Sequence, residues 1–229
     1  MFQAKNYALA GLALSVIFLA LPASAASAKR AAAKVATVPV SVKVAKPYSG
    51  VGDPIAGKSK SEFCQGCHGE DGNSPDSMTP KLAGQNASYI AKQLRNYQIG
   101  TRTHQIMSAM AATVSDADLD DIAAYFSSQA PMKGNGVANK IGKDLYQRGD
   151  MSRMIVACVN CHGAIGEGKT SANSIFPVIG GQHKDYLLGQ LVSFKDGDRS
   201  NSPGGVMNIM VQRMTPAELE ALADYVAGL

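Results

Sequence analysis

Apolar positions fall at helical spacing in two matched stretches: Ile90, Leu94 and Tyr97 within residues 88–97, and Leu187, Leu191 and Phe194 within residues 184–194. Each stretch stops short of a glycine, Gly100 or Gly197, the residue that most readily takes a left-handed C-cap. Two more helices are marked at their starts. Ser115-Asp116-Ala117-Asp118 leads into Leu119, Ile122, Ala123 and Phe126, and Thr215-Pro216-Ala217-Glu218 leads into Leu219, Leu222, Tyr225 and Val226. A hydroxyl followed three positions later by an acid resembles a capping box, although Asp118 is shorter than the usual glutamate. Short helices are expected over residues 56–63 and 140–147, the first behind an Asp53-Pro54 cap. No run alternates as a half-buried strand does, so the expected class is all-α.

The N-terminus has a different pattern. Lys5, an apolar run over residues 8–21 and small residues after Pro22 have the three-part form of a secretory signal, ending after Ala25 or as late as Ala28. The run is shorter than the ~20 residues of a spanning helix, so cleavage is expected, with an uncleaved anchor as the alternative. Residues 26–52 mix alanine, lysine and valine with Pro39 and Pro47 and read as a basic linker. It either stands in solvent or associates peripherally with an anionic membrane surface.

The rest of the chain is written twice. Cys64-Gln65-Gly66-Cys67-His68-Gly69 returns as Cys158-Val159-Asn160-Cys161-His162-Gly163, offset by 94 residues. At an offset of 97, Pro80 pairs with Pro177, Gln85 with Gln182, Tyr89 with Tyr186, Gln93 with Gln190 and Arg102 with Arg199. At 100, Met107 and Met110 pair with Met207 and Met210, and Ser115 with Thr215. Two copies are too few and too long for a solenoid, so residues 53–130 and 138–229 read as duplicated domains joined by residues 131–137.

Composition adds two constraints. With 14 aromatic residues and no tryptophan among 229, two protein cores of this size would be thin, so something else is expected to fill them. The formal net charge is +4, yet from Ser61 onward 14 basic residues face 17 acidic ones. A cationic nucleic-acid-binding body is therefore excluded.

Four cysteines in an exported chain usually suggest disulfides. A disulfide framework has no use for a histidine after each pair, and both pairs here are Cys-x-x-Cys-His, the attachment signature of a c-type haem. Thiols three residues apart reach the two vinyl groups on one porphyrin edge, and the next side chain faces the iron. Cys64, Cys67, Cys158 and Cys161 are thus expected to hold two haems, with His68 and His162 as proximal ligands. A shared zinc site leaves the histidines unused, and a thioredoxin-like pair lacks its βαβ surroundings. For the sixth ligand the repeat offers Met107 or Met110, and Met207 or Met210. Residues i and i+3 share a helical face, so spacing does not choose between them. His104 and His183 have no histidine mates and are expected on the surface.

With these motifs, the Asp71-Gly72-Asn73-Ser74-Pro75 segment, both Pro-x-x-x-Gly-Gln segments and the Asp121-Ile122-Ala123-Ala124-Tyr125-Phe126 helix, the chain resembles the cytochrome c4 family from about Gly52 to Leu229. That family has two class I cytochrome c domains in tandem, each wrapped around one haem, in the bacterial periplasm. The resemblance implies methionine ligands eight residues before the Ser or Thr that opens the last helix, hence Met107 and Met207. It also implies that the carbonyls of Pro80 and Pro177 accept a hydrogen bond from the proximal histidines. Arg102 and Arg199 either neutralise haem propionates or stand solvated. Haem iron closed on both faces leaves outer-sphere electron transfer between redox proteins, from a respiratory donor to a terminal oxidase, rather than catalysis. The alternatives are a cytochrome subunit of a dehydrogenase complex, and a dihaem peroxidase with one open haem.

Overall fold

Helix α1 (Pro54–Lys60) starts where Asp53 accepts from the Ile55 N–H with proline in the first turn, and it stops at Ser61. Ser61 also opens α2 (Glu62–His68), which carries the first cysteine pair, so one helix expected over residues 56–63 is two. The rest of this half is α3 (Ala87–Ile99), α4 (Gln105–Ala112) and α5 (Asp116–Ser127). The second half runs α6 (Lys140–Arg148), α7 (Val159–His162), α8 (Lys184–Asp196), α9 (Val206–Val211) and α10 (Pro216–Gly228). This computed structural model describes residue 50 and residues 52–169 and 176–229; the expected signal and most of the basic linker lie outside the described residues. Among them there is no strand, only an isolated bridge between Asp150 and Ile155. No described helix is long and apolar enough to cross a membrane.

In each half the first and last helices cross, α1 on α5 and α6 on α10, while α3 and α8 pack on the same partners. Burial follows the sequence periods: Leu119, Ile122 and Phe126 join Ile90 and Leu94 in one core, and Leu219, Leu222 and Val226 join Leu187 and Phe194 in the other. Each such side chain contributes about 1.5–3 kcal/mol when fully buried. Gly100 and Gly197 close α3 and α8 in the left-handed region, at φ 77° and 87°. Ser115 caps α5 through the Asp118 N–H, and Thr215 with Glu218 forms a complete capping box on α10.

α4 and α9 have no counterpart in the sequence reading. At eight and six residues they are far below the ~12–15 at which a helix is marginal alone, so packing rather than periodicity makes them.

The copies differ most ahead of the second cysteine pair. Cys64 stands seven positions after Gly57, whereas Cys158 stands sixteen after Gly142. The extra segment makes a 3₁₀ turn (Met151–Arg153) and returns through the Asp150 and Ile155 bridge. Arg153 fixes it, donating to Asp150 at 2.7 Å and to Glu218 at 2.6 Å. Hydrogen bonds from Arg153 hold the Glu218 carboxyl near pKa 2, below its ordinary 4.5. A depressed carboxyl stabilises the fold above its unfolded pKa and loses that contribution as pH falls through the folded value. Urea unfolding of the second half is therefore expected to weaken between about pH 4.5 and pH 2, and Glu218→Gln is expected to flatten that slope. An unchanged slope in the variant would assign the acid sensitivity elsewhere.

Candidate haem sites

α2 places Cys64 and Cys67 three positions apart, one turn of helix, with His68 closing the element. In the second half Cys158 stands at the N-cap of α7, followed by Cys161 and His162. None of the four cysteines is paired in a disulfide; Cys67 is exposed and the others are half-buried. Burial pushes the Cys64 thiol up and that of Cys158 up to about 11, surroundings that suit a neutral thioether better than a thiolate.

The two histidines are built alike. His68 is 6% exposed with Nδ1 2.8 Å from the Pro80 carbonyl, and His162 is 8% exposed with Nδ1 3.1 Å from the Pro177 carbonyl. A carbonyl only accepts, so Nδ1 carries the proton and Nε2 keeps its lone pair for a metal. Burial lowers both imidazole pKa values, while the proline carbonyls raise them. A buried neutral imidazole with its far nitrogen protonated is the form that ligates iron.

The methionines separate by packing. Met107 lies against the same core as Cys64, and Met207 against the same core as Cys158. Met110 and Met210 are half-buried without belonging to either group. The backbone ahead of each ligand candidate is pinned: the Met107 N–H donates to His104 Nδ1 at 3.3 Å, and the Met207 N–H to Ser202 Oγ at 3.1 Å. His104 is exposed, as expected, and works as the cap of α4.

His183 is a correction. It is half-buried and its Nε2 lies 3.0 Å from the Ser74 carbonyl and 3.1 Å from Ser74 Oγ in the other half. The loop after the first cysteine pair folds against the start of α8, which covers this side chain. Beside it Lys81 N–H donates to Gln182 Oε1 at 2.9 Å and Gln182 Nε2 returns to the Lys81 carbonyl at 2.9 Å. The mate glutamine does the same in reverse: Val178 N–H donates to Gln85 Oε1 at 2.9 Å and Gln85 Nε2 to the Val178 carbonyl at 2.7 Å. The halves thus meet about a pseudo-twofold axis. The signal was in the sequence, as polar identities at an offset of 97 that haem attachment does not demand.

Arg102 and Arg199 sit at this junction, 8% and 7% exposed, so neither stands in solvent. Among the described residues no carboxylate pairs with either; their donors end on glutamine, tyrosine and asparagine side-chain oxygens. Two buried cations without an anion leave a charge deficit that an internal anion would relieve. The unbridged cysteine pairs, the available Nε2 lone pairs, the core-packed methionines and this deficit are a donor set that two c-type haems would fit.

A family model described as cytochrome C oxidase, cbb3-type, subunit III matches residues 58–126, and one described as cytochrome c matches residues 140–229. Cytochrome c4 of Pseudomonas aeruginosa is 38% identical over 181 residues, spanning 78% of this chain and 89% of that one. A thiosulfate dehydrogenase electron acceptor of Thiomonas intermedia is 38% identical over 174 residues, 72% of this chain and 77% of its own. The crystal structure of reduced recombinant cytochrome c4 from Pseudomonas stutzeri matches at TM-score 0.72 and 38% identity, covering 78% of this chain and 100% of that one.

Proposed function

Because the chain belongs to the cytochrome c4 family, with two covalently attached haem c groups and electron transfer as its chemistry, we propose that it is a periplasmic carrier passing single electrons from a respiratory donor to a terminal oxidase. The haems supply a reversible one-electron change at each iron. The chain's own residues fix what surrounds it. Cys64 and Cys67, and Cys158 and Cys161, would anchor the two rings; His68 and His162, held in orientation by the Pro80 and Pro177 carbonyls, would ligate the irons. Met107 and Met207 would supply the remaining ligand of each iron, which would leave no open position for a substrate and direct the chemistry to outer-sphere transfer. Arg102 and Arg199 would neutralise propionate charge.

The observation that carries this reading is the repetition of one donor set: a buried histidine bonded to a proline carbonyl, together with a methionine packed on the core of the first cysteine. The periplasmic placement rests on the signal-like leader and on the attachment motifs. The linker cations Lys29, Arg30, Lys34, Lys43 and Lys46 support peripheral association with an anionic membrane, at about 1 kcal/mol each near its surface. The Thiomonas relative's description as an electron acceptor of thiosulfate dehydrogenase favours a second source of electrons, a dehydrogenase partner in the same compartment.

The test is the mass and spectrum of the exported protein. It should exceed its processed polypeptide by two haems and show two low-spin centres with methionine-to-iron charge-transfer absorption. One high-spin, ligand-accepting haem would instead point to peroxidase chemistry, and a mass equal to the polypeptide would overturn the reading altogether.

A further inference from the structure

We propose that Arg102 and Arg199 act as one shared counter-charge for both haems, so that neither haem's reduction potential is set within its own domain. The inference rests on the reading of two His/Met haems given above and adds a coupling between them.

Each guanidinium is held by both halves at once. Arg102 stacks on Tyr97 of its own domain, 4.8 Å from the ring centroid, and Arg199 on Phe194 of its own, at 4.4 Å. Their hydrogen bonds cross the junction. Arg102 Nη2 donates to Tyr186 OH at 3.1 Å and to Gln190 Oε1 at 2.8 Å. Arg199 Nη2 donates to Tyr89 OH at 3.0 Å and to Gln93 Oε1 at 3.3 Å. The bonds within each domain complete the ring: Arg102 Nη1 donates to Gln93 at 2.8 Å and Arg199 Nη1 to Gln190 at 2.6 Å. Both glutamine oxygens are therefore shared by both arginines, and neither cation can move without the other domain's partners moving.

Tyr97 and Phe194 belong to the two hydrophobic cores, so each charge bears directly on the packing that would surround a haem. In this buried setting the effective dielectric constant is ~20 rather than 80, and salt screens such charges less than exposed ones. Tyr89 reports the field: burial alone would raise its pKa, yet Arg199 and Arg102 hold it below the ordinary value. A cation near iron favours the reduced, less positive state. Because the pair is shared, its influence falls on both irons.

The experiment is spectroelectrochemical titration of the full holoprotein, resolving the two haems. Arg102→Gln and Arg199→Gln are each expected to lower the reduction equilibrium constant of both haems about tenfold, or ~59 mV for a one-electron couple. Arg102→Lys and Arg199→Lys, which keep the charge, should restore most of it. Gln190→Glu is isosteric and places a carboxylate against both guanidiniums; it too should lower both potentials, and it carries the test if an arginine variant fails to mature. A shift confined to the haem of the substituted domain, or no shift at either haem, would overturn the proposal. Failure of the parent reading is separate: it would appear in the unmodified protein as a missing or high-spin haem.

Discussion

Met207→Ala is expected to convert one of the two haems from a closed, low-spin centre into a high-spin one that binds added carbon monoxide or cyanide, leaving the other untouched. Met107→Ala should do the same to its partner. Of the two methionine pairs that the repeat matches, Met107 and Met207 lie on the cores shared with Cys64 and Cys158, and Met110 and Met210 do not. Loss of a thioether ligand, which raises the potential relative to a second histidine, is expected to lower that haem's midpoint by on the order of 0.1 V, within the ~0.8 V that axial ligands span. Truncating a half-buried methionine also costs stability, up to the about 2–5 kcal/mol of a fully buried one, so the spectra are to be recorded well below the unfolding transition. Met110→Ala and Met210→Ala serve as controls and should leave both spectra unchanged. If Met210→Ala opened the haem while Met207→Ala did not, the ligand assignment would move by one helical turn.

The parts of this molecule that were readable in the sequence are those whose physics is local. Capping residues at Asp53, Ser115 and Thr215, and the left-handed glycines after α3 and α8, are decided by near neighbours along the chain. So is the spacing of each Cys-x-x-Cys-His motif. What escaped is decided by distant contacts. Arginine is almost never fully buried without a partner, so nothing in Gly100-Thr101-Arg102 or Gly197-Asp198-Arg199 announced that the two arginines would be enclosed between the halves. His183 gave no sign of its bonds to Ser74, because they depend on how the duplicated loops face each other. The helix crossings were hidden for another reason. Gly57 and Gly142 are equivalent in space but offset by 85 residues rather than 94, since the extra segment of the second copy falls between them and the cysteines.

Those two glycines carry the second large effect: Gly57→Ala and Gly142→Ala are each expected to destabilise their domain by about 3 kcal/mol, the upper end of ordinary overpacking costs. A Cβ on Gly57 would lie 2.0 Å from the Asp121 carbonyl oxygen and 2.8 Å from Tyr125 Cβ. On Gly142 it would lie 2.0 Å from the Ala221 carbonyl oxygen and 2.7 Å from Tyr225 Cβ. These are backbone and Cβ atoms, which no rotamer change can withdraw, so α1 must lift from α5, or α6 from α10. In the first domain the displaced helix runs through Ser61 directly into α2, so the strain reaches the cysteines and the proximal histidine. Intrinsic propensity pulls the other way, since alanine is better than glycine by about 1 kcal/mol inside a helix. That opposition supplies the control. Gly189, inside α8, has nothing within 4 Å of its would-be Cβ, and Gly189→Ala should be neutral or stabilising by up to about 1 kcal/mol. Urea unfolding of the holoproteins, followed at the haem absorption and by helical dichroism, reads all three. Opposite signs for the crossing glycines and for Gly189 would locate the close contact at the helix crossings; equal signs would mean that the first and last helices do not approach so closely.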